Sequence, residues 1–149
     1  MATRITSTGI RFDTLQLVTA PVMREIGKLA VEEILRQTDA GRDYQGRPFK
    51  PYSEGYAERK ATYRGGRMGA NVGTGTPDLK VTGRMLNDMQ IVGVTPRRVT
   101  LGFVTARSAE LAFYHVESGA GKSHVIRDFF GLTQRFLDAA VGRIKARWK

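Results

Sequence analysis

The stretch MQIVGVTPRRVTLGF, residues 89–103, decides the fold class of this chain. Its first half alternates through Met89 and Ile91, and its second half alternates from Val99 to Phe103. Alternation with a period of two residues is typical of a strand with one buried face. Between the halves lies a Thr-Pro-Arg-Arg sequence with proline where a type I turn accepts it. The stretch therefore predicts an antiparallel β-hairpin.

A long amphipathic helix is predicted in the first third of the chain. Apolar residues recur there mostly at steps of three and four, at Val18, Val22, Ile26, Leu29, Ala30 and Ile34. Such spacing places the side chains on one face of a helix. We expect the regular helix to run from about Ala20 to Gln37, with Thr19 as its N-terminal cap and Gly41 as its end.

Four shorter helices complete the pattern. Capping residues mark where three of them begin. We expect a helix from Glu54 to about Tyr63 capped by Ser53, one through Gly83–Asn87 capped by Thr82, one over Ser108–Val116, and a last one capped by Thr133. The buried stripe of the last helix is predicted at Leu137, Val141, Ile144 and Trp148. The predicted fold is therefore α+β, a small antiparallel sheet packed against the long helix and the C-terminal helix.

Two segments fall outside this pattern. Residues 3–12 are rich in β-branched side chains and predict an edge strand or an extended N-terminal arm. Residues 64–77 are rich in glycine and predict a mobile surface loop. The parts of the chain on either side of this loop are too short to bury separate cores, so we expect one domain, residues 1–149, with an inserted loop.

The composition restricts the classes of function. The 24 Lys and Arg residues outnumber the 14 Asp and Glu residues, which gives a formal charge of +10 and an attraction for polyanions or acidic protein surfaces. The chain has no cysteine, so disulfides and thiolate chemistry are excluded. No apolar run is long enough to span a bilayer. We expect a negatively charged partner and no membrane partner.

Three patterns that could indicate catalysis or ligand binding each lack a required feature. The sequence GAGKS, residues 119–123, ends like a phosphate-binding loop, but Val116 stands where that motif needs its first glycine. His115, His124 and Glu117 do not have the spacing of a metal site, and we predict neither metal nor cofactor. No serine, histidine and carboxylate are tied together by a pattern, so we predict no enzyme, and a small hydrolase with an unrecognised site stays as an alternative.

The densest basic region predicts contacts with DNA or with an acidic partner. Its members are Arg42, Arg47, Lys50, Arg59, Lys60, Arg64 and Arg67. Four tyrosines are interleaved with them, as in grooves that combine phosphate contacts with base stacking. A solvated face with buried aromatic side chains explains the same pattern. Nonspecific nucleic-acid binding is therefore kept as the alternative function.

Several short motifs occur in an order that resembles a known family. These motifs are GRPFKPYS at 46–53 with Tyr56 and Lys60, DLKVTGRML at 78–86, Leu101-Gly102, AFYH at 112–115 with Gly119, and RDFFGLT at 127–133. The succession resembles the Mu-like tail completion proteins, the virion morphogenesis family of tailed phages. Phe49 stands where that family often has tryptophan, and the family's proline before the arginine is missing at 125–127.

The resemblance implies a structural virion protein without catalysis. Such a protein completes the tail end or neck and joins the tail to the head, as a ring of identical subunits. The implied partners are the head-tail connector, the tail tube or tail terminator proteins, and genomic DNA in the channel; the implied location is the virion, after assembly in the host cytoplasm. The residues expected to hold the shared framework are Phe49, Tyr52, Thr82, Gly83, Arg84, Arg127, Phe129 and Phe130.

Overall fold

The structure is a computed structural model, and it describes residues 19–62 and 76–147. The predicted N-terminal arm lies outside these residues, and so does nearly all of the predicted glycine-rich loop. The described elements are the α-helices α1 (Ala20–Asp39), α2 (Glu54–Thr62), α3 (Arg84–Asn87), α4 (Ala106–Phe113) and α5 (Gln134–Ala146), the strands β1 (Met89–Thr95) and β2 (Arg98–Phe103), and a π-helical turn, Tyr114–Ser118. This mixture confirms the predicted α+β class.

The predicted hairpin is confirmed. Strands β1 and β2 pair antiparallel, with Met89 opposite Phe103 and Thr95 opposite Arg98. The register shifts between Ile91 and Gly93, which is a β-bulge that the alternation did not predict. Val92 lies at this bulge, and 52% of its surface is exposed.

The long helix α1 packs across the hairpin, as predicted. Its Met23 and Ile26 are buried with Val99 of β2 in one core cluster. Gly27 allows α1 to approach β2 closely, since a Cβ added there would lie 2.6 Å from Cγ2 of Val99. A larger residue would push the helix away from the sheet.

The predicted ends of α1 need small corrections. The helix runs two residues beyond the predicted Gln37, because the hydroxyl of Thr38 is buried and donates a hydrogen bond of 2.8 Å to the Ile34 carbonyl. Gly41 then leaves the helical path with a φ of +69°. Thr19 occupies the N-cap position, but its side chain makes no capping hydrogen bond.

The C-terminal helix α5 packs against α1 in the same core cluster as the hairpin. Its predicted cap is confirmed, because the Thr133 hydroxyl accepts a hydrogen bond of 3.1 Å from the Phe136 N–H. The predicted stripe is partly wrong. Ala140 and Ile144 are the buried residues of the helix, with Phe136 packed beside them in place of Leu137. Trp148 lies outside the described residues.

A second core cluster joins the loops to the helices. Its buried members are Ile34, Phe49, Leu79, Met85, Leu86, Met89, Ala112 and Phe129. The cluster draws on segments before and after the glycine-rich region, so both belong to one packed unit.

Helices α2 to α4 lie close to their predicted positions. Helix α2 begins at Glu54 as expected, where the Ser53 carbonyl accepts from the Ala57 N–H at 2.9 Å. Helix α4 begins two residues before the predicted Ser108, because the Thr105 hydroxyl caps it, and it continues into the π-helical turn. The chain leaves this turn at Gly119, whose φ is +81°.

Two glycine substitutions test these packing assignments. At Gly119 an added Cβ would lie 2.2 Å from the His124 carbonyl oxygen, and φ is positive, so we expect Gly119→Ala to lower the free energy of unfolding by about 2 kcal/mol or more. Gly142 of α5 has nothing within 4 Å of its added Cβ, and we expect Gly142→Ala to raise that free energy by about 0.5–1 kcal/mol. Urea unfolding measures both. Equal effects of the two substitutions would contradict the structure.

Candidate functional site

The framework of the candidate site is organised by Arg127, a cation that is only 6% exposed. Its backbone N–H donates to the His115 carbonyl at 2.7 Å, which fixes the start of the side chain. Its Nε and Nη2 donate to the Lys50 carbonyl at 3.1 and 2.9 Å, and Nη2 also donates to the Pro51 carbonyl at 3.1 Å. The guanidinium therefore clamps the loop before α2 onto a segment 77 residues further along the chain.

The Arg127 guanidinium packs on the aromatic ring of Tyr52. The guanidinium carbon of Arg127 lies 4.9 Å from the centre of the Tyr52 ring, and the Lys60 ammonium lies 4.8 Å from it. Both distances suit a cation–π contact. The Tyr52 hydroxyl accepts a hydrogen bond of 3.2 Å from the Leu79 N–H. One ring thus connects three distant parts of the sequence.

Lys60 and Asp78 form a buried ion pair beside this ring. Lys60 is 7% exposed and Asp78 is 1% exposed. The paired oxygen of Asp78, Oδ1, also accepts from the Lys80 N–H at 3.0 Å. Lys60 lies in the last turn of α2 and Asp78 follows the glycine-rich segment, so the pair ties together the two ends of that segment. Lys60 was expected to contact DNA or an acidic partner, but it lies in the interior because Asp78 and Tyr52 hold it there.

Burial dominates the electrostatics of the clamp. Desolvation lowers the pKa of Arg127, opposed by the nearby hydroxyls of Tyr52 and Tyr56. Desolvation also raises the pKa of Tyr56, with Tyr52 as the next cause. Tyr56 is therefore neutral at physiological pH.

His115 is a partly buried titratable group of the site. Its ring meets the ring of Phe129 edge-on at 6.5 Å between centres. Burial, and after it the positive charge of Arg127, lowers the pKa of His115 to about 4. The imidazole is therefore neutral at physiological pH. His124 lies exposed in the following loop, with a φ of +46°.

Above the clamp lies a cleft of about 1180 Å³. Its walls are the start of α2, the segment from Val81 to Asp88, the start of α4 and the loop 120–125. The cleft brings together five of the framework residues expected from the sequence, namely Tyr52, Thr82, Gly83, Arg84 and Arg127. The other three lie behind it: Phe49 and Phe129 are buried in the second core cluster, and Phe130 packs against it.

The Thr-Gly-Arg segment needs a correction. Gly83, with a φ of +75°, is the N-cap of α3, while the Thr82 hydroxyl only accepts from the Arg84 N–H at 3.4 Å. Thr82 was expected to cap the helix itself. The Arg84 side chain is exposed, makes no hydrogen bond or ion pair within the described part of the chain, and lines the cleft.

The remaining basic residues do not form one continuous patch with Lys60. Arg42 donates to the Gly46 carbonyl at 2.8 Å, and Arg47 pairs with Asp43 at 2.8 Å, so both are engaged within their own loop. Lys50 is exposed, and Arg59 donates to the Gly55 carbonyl and lines the cleft. Arg64 and Arg67 lie outside the described residues.

Two cationic residues of the cleft were missed at the level of sequence. Arg107 at the start of α4 and Lys122 in the loop 120–125 line the cleft with Arg59 and Arg84. Their spacing along the chain carries no motif. Only the fold brings them near one another.

The polar groups at the start of α4 are used in capping. Oδ2 of Asp88 accepts from the Thr105 N–H at 2.8 Å and from the Thr105 hydroxyl at 2.7 Å. These bonds lower the pKa of Asp88. The Ser108 N–H in turn donates to the Thr105 hydroxyl at 3.3 Å. This arrangement fixes the beginning of a helix, and no histidine takes part in these bonds.

The described residues contain no group of three or more His, Cys, Asp or Glu residues placed to hold a metal ion. Within the same residues, no helix combines the length and the apolar character that crossing a membrane requires.

Comparison of the chain with protein-family models, with curated proteins and with solved structures finds no match in any of the three.

A double-mutant cycle tests the buried ion pair. We expect Lys60→Met to lower the free energy of unfolding by about 3–5 kcal/mol, because it leaves the Asp78 carboxylate buried without its cation. The double variant Lys60→Met with Asp78→Leu should recover most of this loss. Urea unfolding measures the cycle, and Lys28→Met on the exposed face of α1 is the control. Additive effects of the two substitutions would show that the residues do not interact.

The pKa of His115 predicts a pH dependence of stability. Above pH 6.5 the imidazole is neutral in both the folded and the unfolded chain. As the pH falls from 6.5 to about 4, the unfolded chain binds a proton that the folded chain excludes, so the free energy of unfolding decreases. Thermal unfolding across this range should show a decrease that is weaker in His115→Gln. The same slope in both proteins would place the titrating group elsewhere.

Proposed function

We propose that the chain is a structural virion protein that completes the tail end or neck of a tailed phage and joins the tail to the head. The observation that carries the proposal is the convergence of the motifs that resemble the tail completion family. Arg127 binds the backbone of 50–51, Tyr52 binds Leu79, and Phe129 packs with Phe49. Motifs far apart in sequence thus form one packed framework.

The character of this framework supports a structural role over a catalytic one. The charged groups of Arg127 and Lys60 contact carbonyl oxygens, an aromatic ring and a carboxylate within the fold. The neutral His115 has its ring against Phe129. These contacts stabilise a fixed shape, which is what a subunit of an assembly requires.

Exposed apolar side chains offer surfaces for self-association into a ring. Val92, Val104, Tyr114 and Ile126 are the large apolar residues with exposed surface among the described residues. A ring joins two different patches of each subunit, head to tail. Under this proposal the neighbours are further copies, the head-tail connector and the tail tube or tail terminator proteins, and the location is the virion.

Nonspecific nucleic-acid binding stays as the second candidate, because the chain carries a charge of +10 and the cleft is lined by several cations. The interior position of Lys60 and the pairing of Arg47 reduce the basic surface that the sequence indicated. Genomic DNA passing through the ring is compatible with both candidates.

Two measurements test the proposal together. Sedimentation velocity of the purified chain should show association into a closed oligomer, and Val92→Asp or Ile126→Asp should weaken it by at least about tenfold if that residue lies in an interface. Arg97→Asp, in the exposed hairpin turn, is the control.

Electron microscopy of tailed particles with gold-labelled antibody supplies the second measurement. Label confined to the junction between head and tail would support the proposal. Intact particles without label, together with a monomeric protein that binds DNA with a steep dependence on salt, would favour the nucleic-acid alternative.

A further inference from the structure

We propose that the open edge of β1 is a docking site for residues 3–12 of the same chain, which pair with it as a third strand parallel to β1. The inference does not depend on the virion role, because it rests on the edge of the sheet and on the place where the chain enters α1.

The edge of the sheet at β1 is open in the described part of the chain. The sheet there consists of β1 and β2, and no backbone hydrogen bond joins either strand to another described segment. Helix α4 packs against β2 as well, so β1 is the more open of the two edges. Gln90, Val92, Gly93 and Thr95 of β1 are all exposed. Unpaired N–H and C=O groups along such an edge are a template for a further strand.

Strand β1 lacks most of the features by which proteins protect an exposed edge. Its seven residues, MQIVGVT, include no charged residue and no proline. The β-bulge at Val92 bends the strand, but the edge on both sides of it stays uncharged. Proteins normally cover an edge of this kind with another segment.

Residues 3–12 have the composition of a covering strand. Residue types that favour strands occupy six of the ten positions, namely Thr3, Ile5, Thr6, Thr8, Ile10 and Phe12. The charged residues of the segment are Arg4 and Arg11. Charged side chains on the outermost strand of a sheet discourage further pairing. Adding this segment therefore replaces an uncharged edge by a charged one.

The direction of α1 brings the segment to the sheet. Met23, near the start of α1, is buried with Val99 beside the hairpin turn, whereas Ile34, near its end, shares a core cluster with Met89. Helix α1 therefore runs opposite to β1. Thr19 has an extended backbone, with φ of −103° and ψ of 159°, so the chain enters α1 from the turn end of the hairpin.

The short connection to α1 makes the third strand parallel to β1. Residues 13–18 span at most about 20 Å, which is less than the length of about 23 Å of the seven-residue strand β1. Phe12 is therefore placed near the turn end of β1, and Thr3 near Met89. Parallel neighbours need a crossover connection, usually with a helix packed on the sheet, and α1 is such a helix.

Cysteine cross-linking tests the proposal, because the chain has no cysteine of its own. Two whole-chain variants carry Gln90→Cys, near the start of β1, together with either Arg4→Cys or Arg11→Cys. We expect a short bismaleimide to cross-link the Arg4→Cys variant at least about fivefold faster within one chain, because about 23 Å of strand separates positions 4 and 11. Mass spectrometry distinguishes one-chain from two-chain products.

Proline substitutions supply the matched control. Adding Ser7→Pro and Thr8→Pro should remove the difference between the two variants, because successive N–H groups of a strand point to opposite sides and one of this pair faces β1. Asp13→Pro with Thr14→Pro, in the connection to α1, should leave the difference unchanged. Circular dichroism establishes that each variant is folded before the rates are compared.

Three results would overturn the proposal. Equal rates at positions 4 and 11 would show that the segment does not pair with β1. A faster reaction at position 11 would show that the third strand is antiparallel. Products that join two chains, without one-chain products, would assign the edge of β1 to the same segment of a second copy.

Discussion

A buried guanidinium must find acceptors for its N–H groups, and the rest of this structure depends on how Arg127 finds them. Removing such a cation from water costs several kcal/mol. The carbonyl groups of Lys50 and Pro51 and the face of Tyr52 offset that cost. These acceptors come from a loop of two glycines and two prolines, and the Tyr44 N–H of the same loop donates to the Asp128 carbonyl at 3.0 Å. Arg127 and its neighbour Asp128 therefore hold both parts of the loop in place. The position of that loop in turn fixes the start of α2 and one wall of the cleft.

The Tyr52 ring extends this constraint to the segment that follows the glycine-rich region. Its hydroxyl accepts a hydrogen bond from the Leu79 N–H. The Lys60 ammonium lies over the ring and forms an ion pair with Asp78. The two ends of residues 63–75 are therefore held at fixed positions whatever path those residues take. The clamp and the ion pair share one aromatic side chain, so the loss of either contact is expected to disturb the other.

Much of the fold could be predicted because its signals are local. The hairpin follows from alternation on both sides of a Pro-Arg turn, α1 from its apolar stripe, and the start of α5 from Thr133. The errors occur where distant contacts decide. From the sequence Lys60 is expected at the surface, but the fold places Asp78 beside it and buries the pair. Phe136 packs in the core in place of Leu137 because the approach of α5 to α1 determines which face of α5 is buried. The cleft could not be predicted at all, since its cations come from four elements without a shared motif.

Arg127 holds the loop before α2, and the start of α2 forms one wall of the cleft. Arg127 and Tyr52 act in this as a unit. The most direct measurement is a double-mutant cycle of Arg127→Met and Tyr52→Leu, followed by urea unfolding. We predict a coupling free energy of about 1–2 kcal/mol between the two positions. Effects that add to within about 0.5 kcal/mol would contradict the account, because independent residues behave in that way.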